Sequence, residues 1–214
     1  EIGLLRQRFE DVLGDEVRGL GGHDVLWGEQ GSDALYGGEG HDGLWADDDM
    51  DPCLADCDDY LNGGPGNDSL IGGLGNDILH GGEGDDDLVP GGGDDVVHGG
   101  TGTNEVAYYD SPMGVTVNLG TQTAIGAGTD TLSGITNAVG SAANDELIGN
   151  AASNQLDGWF GVDVLRGGAG DDVLLDAYGA EWLLGGAGDD YLSAYGEDDL
   201  VRDADTNTLA GGPG

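Results

Sequence analysis

Single apolar residues stand at fixed intervals along this chain, each two positions after an acid or an amide. Asp24-Val25-Leu26, Asp33-Ala34-Leu35 and Asp42-Gly43-Leu44 follow one another at nine-residue steps. The step resumes at Asp59-Tyr60-Leu61 and passes through Asp68, Asp77, Asp86, Asp95 and Asn104, with Leu70, Leu79, Leu88, Val97 and Val106 two residues after each. A further run carries Asp145, Asn154, Asp163, Asp172, Glu181 and Asp190, with leucines at 147, 156, 165, 174, 183 and 192, and Asp199-Leu200-Val201 extends it. Ahead of these positions stand GGEGHD (37–42), GGPGND (63–68), GGLGND (72–77), GGEGDD (81–86), GGTGTN (99–104) and two copies of GGAGDD (167–172 and 185–190). An x-apolar-x triplet turns one side chain inward and two outward, as a short strand does. The glycines before it admit positive φ and close backbone approach, as a turn requires. Each unit therefore predicts a six-residue turn and a three-residue strand.

One apolar residue per unit cannot form a core, but stacked units align their Leu, Val and Ile into columns between two parallel sheets. The fold class expected is all-β, a parallel β-solenoid. With successive turns on opposite edges, two units make one 18-residue coil, and acids 18 positions apart become neighbours at about 4.8 Å. Asp24 then lies beneath Asp42, Asp59 beneath Asp77 and Asp95, and Asp172 beneath Asp190.

Such carboxylate columns repel one another, and the composition makes the difficulty general. The 214 residues hold 43 acids against 5 arginines and no lysine, a formal charge of -38. Like-charge repulsion on this scale opposes a compact state unless a cation is bound, and it makes nucleic acid and anionic membranes poor partners. No apolar run approaches the ~20 residues of a membrane span. The 46 glycines are about three times the usual ~7% share. The ligands on offer are carboxylates and turn carbonyls, with no Cys or His repeated at the same positions, a set that suits Ca²⁺ better than Mg²⁺.

These motifs resemble the RTX (repeats-in-toxin) family of hemolysin-type calcium-binding proteins, whose signature is G-G-x-G-x-D-x-U-x with U apolar. The resemblance covers roughly residues 13–106 and 145–210. It implies a right-handed parallel β-roll in which each Ca²⁺ is held between consecutive turns on one edge by aspartate carboxylates and turn carbonyls. Carried over to this sequence, the implied ligands are Asp24, Asp33, Asp42, Asp59, Asp68, Asp77, Asp86, Asp95, Asp145, Asp163, Asp172, Asp190 and Asp199, with Asp15 a weaker member because EDVLGD lacks the glycines. Asn104 and Asn154 offer a neutral amide oxygen and Glu181 an extra methylene, so weaker or empty sites are expected there. Pairing positions 18 apart gives about ten ions, which would cancel about half of the charge.

The period sets the expected organisation: an N-terminal cap at 1–12, a first repeat block at 13–106, an irregular solenoid linker at 107–144 and a second block at 145–214. Within the first block, ADDDMDPCLADCD (46–58) interrupts the repeat. Its Asp47, Asp49 and Asp51 alternate as in a calcium loop, and Cys53 and Cys57 are expected to pair if the protein is secreted. Trp27 and Trp45, 18 positions apart and outward, should stack on one face with Tyr36 on the other, offering a surface for self-association or for a polymer. His23 with His41, and His80 with His98, share the same spacing; either pair alone would make an incomplete zinc site.

No metalloprotease, nucleophile-elbow or phosphate-loop motif occurs, so no enzymatic role is expected of this chain. The chain begins without Met and ends on GGPG, the start of another unit, and so reads as a piece of a longer protein. Two readings remain. One is an extracellular calcium-dependent structural element, such as an adhesin stalk, surface layer or fibre subunit. The other is the calcium-dependent folding and secretion module of a larger secreted enzyme or toxin.

Overall fold

The computed structural model describes residues 14–47, 57–177, 182–194, 200–202 and 208–211. Among them every regular element is a strand. The expected N-terminal cap, Asp49, Asp51, Cys53, Glu181 and Asp199 lie outside the described residues. The chain forms two units, one of residues 1–106 with 128–135, the other of 107–127 with 136–214.

In the first unit the strands are β1 (Glu16–Gly21), β2 (Val25–Glu29), β3 (Ala34–Glu39), β4 (Gly43–Asp47), β5 (Tyr60–Pro65), β6 (Ser69–Leu74), β7 (Ile78–Glu83), β8 (Asp87–Gly92), β9 (Val96–Thr101), β10 (Glu105–Ala107) and β13 (Thr129–Ser133). Odd strands build one sheet in the order β1, β3, β5, β7, β9, β13, and even strands build the other, β2 through β10. All pairs with a defined register are parallel, for example Leu61 with Leu79 and Leu70 with Leu88. Parallel neighbours need a crossover between them, and here the strand of the opposite sheet supplies it. The register step is 18 residues within the regular repeats, lengthens where Ala34 meets Tyr60, and lengthens again where Val96 meets Thr131. At both places the strands resume in register, Leu35 opposite Leu61 and Val97 opposite Leu132.

The second unit repeats the plan with β11 (Thr116–Asn118), β12 (Thr123–Ile125), β14 (Asn137–Val139), β15 (Glu146–Ile148), β16 (Gln155–Asp157), β17 (Val164–Ala169), β18 (Val173–Leu175), β19 (Trp182–Ala187), β20 (Tyr191–Ala194), β21 (Leu200–Arg202) and β22 (Thr208–Gly211). One sheet runs β12, β11, β15, β17, β19, β21 and the other β14, β16, β18, β20, β22. Among the described residues, β11 pairs with β12 in the antiparallel sense, a short hairpin at the start of the unit.

Inward residues of the described repeats are buried completely: Leu26, Leu35, Leu44, Leu61, Leu70, Leu79 and Leu88 in the first unit, and Leu147, Leu156, Leu165, Leu174, Leu183 and Leu192 in the second are 0% exposed. The fold is a parallel β-solenoid of the β-roll kind.

Its strands differ in length from expectation. In the first unit β1, β3 and β5 to β9, and in the second β17 and β19, span six residues instead of three, because the glycine pair after the apolar triplet stays in the ladder: Gly64 lies opposite Gly82, Gly73 opposite Gly91 and Gly82 opposite Gly100. The true turn is only the last three residues of the sextet. Glycine makes this continuation workable, since Gly66 at φ 152° brings its backbone so close to the coil below that a Cβ would stand 1.4 Å from the carbonyl oxygen of Gly40.

Gly66→Ala should therefore destabilise the fold by several kcal/mol, on the order of 3 or more given the clash and the φ. At Gly21 a Cβ would meet nothing nearer than 3.7 Å, so Gly21→Ala should change stability by no more than about 0.5 kcal/mol. Equilibrium urea unfolding of the two variants checks the contrast.

Candidate metal sites along the turn edges

The three-residue turns place one aspartate of each repeat at the inner margin of an edge. Asp24, Asp33, Asp42, Asp59, Asp68, Asp77, Asp86, Asp95, Asp145, Asp163, Asp172 and Asp190 are all 0 to 4% exposed. Each coil is tied to the next by the same bond. The main-chain N–H of Asp59 donates to Oδ1 of Asp77 at 2.7 Å, and Asp77 N–H to Asp95 Oδ1 at 2.8 Å. On the opposite edge Asp42 N–H reaches Asp68 and Asp68 N–H reaches Asp86. The half-buried Asp15 donates to Asp33, which donates to Asp59, and Asp24 donates to Asp42. In the second unit Asp145 donates to Asp163 and Asp172 to Asp190.

That bond uses Oδ1 and leaves Oδ2. Buried Oδ2 atoms of Asp24, Asp33, Asp42, Asp59, Asp68, Asp77, Asp86, Asp95, Asp163 and Asp172 have no hydrogen-bond partner. The surroundings of the first glycine of each sextet locate them. A Cβ on Gly63 would meet Asp68 Oδ2 at 2.3 Å and the carbonyl oxygen of Gly81 at 2.7 Å; on Gly81, Asp86 Oδ2 and the Gly99 carbonyl; on Gly72, Asp77 Oδ2 and the Pro90 carbonyl, both at 2.5 Å. The pairs Asp33 with Ala46, Asp42 with Gly63 and Asp172 with Gly185 repeat the arrangement. A buried carboxylate oxygen thus converges with a carbonyl oxygen from the next coil, two acceptors with no proton between them. Such a pair suits an oxygen-seeking cation bridging adjacent coils. Among the described residues no three acidic, His or Cys side chains converge on a point, so coordination would draw on main-chain carbonyls as well as carboxylates. A cation held there would supply positive charge to offset the carboxylates.

The cost of the uncompensated arrangement appears in the acidities. Burial, aided by neighbouring carboxylates and opposed by the main-chain bond, pushes Asp33, Asp68 and Asp172 from 3.8 up to about 6. Asp95 and Asp163 rise to about 7, Asp59 to about 8 and Asp77 to about 9, again chiefly through burial.

The amide positions behave differently. Asn104 accepts from Asp86 N–H through its Oδ1, while its Nδ2 donates to the Gly134 carbonyl at 2.9 Å. An N–H occupies the place that an Asp turn leaves to a cation. Asn154 accepts from Asn150 N–H and donates to the Thr136 carbonyl. Asp145 is also distinct, since Ser141 N–H donates to its Oδ2 and Val115 N–H to its Oδ1.

Three features escape a search for the nine-residue step. Asp130, 4% exposed, continues the inner ladder by accepting from Asp95 N–H; the Asp130-Thr131-Leu132 triplet is the signal, though no glycines precede it. Asp176 occupies a first-glycine position and is 3% exposed. A second ladder runs outside the first at the residue before each aspartate, in the opposite sense. Asn76 N–H donates to Asp58, Asp94 N–H to Asn76 and Thr129 N–H to Asp94. On the other edge His41 N–H donates to His23 Nδ1, Asn67 N–H to His41 Nδ1 and Asp85 N–H to Asn67. Both histidines thus serve as acceptors through Nδ1, with rings stacked 4.9 Å apart. The run of His, Asn and Asp before the repeat aspartates is what could have revealed this ladder.

Outward side chains form stripes. Trp27 stacks on Trp45 at 5.5 Å on one sheet. On the other, Arg18 lies over Tyr36, followed by Tyr60, His80 and His98. Asp47 accepts from Leu74 N–H at 2.7 Å. Cys57 is buried and disulfide-bonded; Cys53, the only other cysteine in the sequence, lies outside the described residues.

The family model for the RTX calcium-binding nonapeptide repeat (4 copies) matches residues 13–44, 58–88, 91–106, 139–174 and 177–209. No curated protein matches the chain.

The raised pKa values set a pH dependence for the calcium-free roll. A folded state that holds protons more tightly than the unfolded one is favoured at low pH, and that contribution is lost as pH rises through the folded values, here about 6 to about 9. In calcium-free buffer the β-sheet circular dichroism signal should therefore increase as pH is lowered from about 8 toward about 4. An increase in the opposite direction would contradict the assignment of buried, uncompensated carboxylates.

Proposed function

The chain belongs to the RTX calcium-binding nonapeptide repeat family, and from that membership we propose that it is an extracellular structural element that folds when calcium binds. Calcium is the ion the repeats of this family bind. The observation that carries the proposal is the convergence of buried Asp Oδ2 atoms on carbonyl oxygens of the next coil, repeated along both edges. With a formal charge of -38, the free energy of ion binding becomes in large part the free energy of folding. The proposed ligands are the aspartates on the grid, from Asp24 to Asp95 and from Asp145 to Asp190, taking up about ten ions by the pairing of neighbouring coils. Asn104 and Asn154 join coils by their own amides and take no ion. Scarce cytosolic calcium would leave the chain unfolded and export-competent; plentiful extracellular calcium would roll it up. The Trp27–Trp45 stack and the Arg18-to-His98 stripe support a role in which outer faces meet neighbours or surface polymers.

Circular dichroism during calcium titration tests the reading. The chain should pass from largely disordered to β-sheet over one cooperative transition, and full β structure in excess chelator at neutral pH would refute it. Asp77→Ala should raise the calcium midpoint by roughly tenfold, while Asn104→Ala, at a position that binds no ion, should move it far less.

A further inference from the structure

The edge of the second unit that carries Asp163 departs from the pattern in one place. At Gly28, Gly37, Gly63, Gly72, Gly81 and Gly167 the first glycine of the sextet faces one aspartate Oδ2 and one carbonyl oxygen. At Gly158 a Cβ would meet Asp176 Oδ2 at 2.6 Å and Asp163 Oδ2 at 2.7 Å, two carboxylate oxygens. Asp176 stands 18 positions after Gly158, where other coils carry a first glycine such as Gly185. Its backbone keeps its place in the ladder, with its N–H donating to the Ser193 carbonyl at 2.9 Å. The side chain is 3% exposed, and Asp163 is 0% exposed. Asp163 Oδ1 is taken by Asp145 N–H, whereas its Oδ2 points at the shared location, reached by no N–H and with the Asp176 carboxyl group beside it.

A buried carboxylate in place of a glycine would be strongly destabilising if nothing offset it. Two such oxygens from adjacent coils, converging within the span of one ion whose oxygen ligands lie at about 2.3–2.6 Å, form a site with more negative charge than its neighbours. The next turn on this edge carries Glu181 at the position of the repeat aspartate, so the carboxylate at 176 enters the one turn whose repeat aspartate has been replaced by glutamate.

We propose that Asp176 is a calcium ligand outside the nonapeptide pattern, which with Asp163 forms a two-carboxylate site that holds its ion more tightly than the sites built from one Oδ2 and a carbonyl. The proposal rests on the calcium reading above. It assigns to Asp176 a task that no position of the repeat signature carries, and it makes this edge of the second unit the last to give up its ion.

Equilibrium dialysis of the full chain with radioactive calcium, at graded chelator concentrations, tests it on the wild type, Asp176→Asn and Asp176→Gly. The first variant keeps the shape and removes the charge; the second restores the residue that other coils carry, so both should show the wild-type circular dichroism spectrum at saturating calcium. The expected result is that each variant loses one ion from the tightest class, with affinity for that ion reduced by about tenfold or more. Unchanged counts and affinities in both variants would overturn the assignment while leaving the calcium reading intact. Absence of calcium uptake by the wild type would instead overturn the calcium reading, and this inference with it.

Discussion

Repeat aspartates such as Asp42, Asp68, Asp77 and Asp86 divide their carboxylates between two tasks, and the rest of the structure depends on the division. Oδ1 accepts a main-chain N–H from the preceding coil, which fixes the turn and sets the vertical spacing. Oδ2 is left facing a carbonyl oxygen from the following coil. The first interaction belongs to the backbone and forms without a ligand; the second is repulsive until something positive stands between the acceptors. Leucine columns supply apolar burial throughout, but they cannot remove that repulsion, because the two lie in different places. The core is in the middle of the roll and the uncompensated charge is at its edges.

The amide turns show the same geometry resolved without an ion. At Asn104, Nδ2 reaches the Gly134 carbonyl directly, so a single atom change from O to N–H converts an acceptor facing an acceptor into a hydrogen bond. A solenoid built entirely on such amides would stand without metal. Aspartate at nearly every other position makes folding conditional, and the pKa values of Asp59, Asp77 and Asp95, raised chiefly by burial, reflect how unfavourable the unliganded charged state is at neutral pH.

Much of this was legible from spacing alone. The nine-residue grid located the inward leucines and the repeat aspartates, because both are set by local period and the period is strict between 59 and 106. Strand length was not legible, since Gly64 and Gly82 pair across coils while their sequence reads as turn. Asp130 escapes the grid because 35 residues separate it from Asp95, and its register is set by the pairing of Thr131 with Val96. Asp176 was passed over for the opposite reason: it sits on the grid, but at a position where the pattern has glycine. The outer ladder of His23, His41, Asn67 and Asp85 involves residues the signature leaves variable.

Because every aspartate contacts the coil before it and the coil after it, ions in neighbouring turns are coupled through shared side chains. Such a chain behaves as a one-dimensional array in which ordering one coil prepares one face of the next site. An amide turn such as Asn104 passes order along without needing an ion of its own, and so can serve as a starting point for the coils beside it. A strongly charged site placed among weaker ones does the reverse under calcium depletion, keeping its two coils ordered after the others open. Variation at single edge positions therefore sets where the roll begins to form and where it persists, while the leucine columns stay the same throughout.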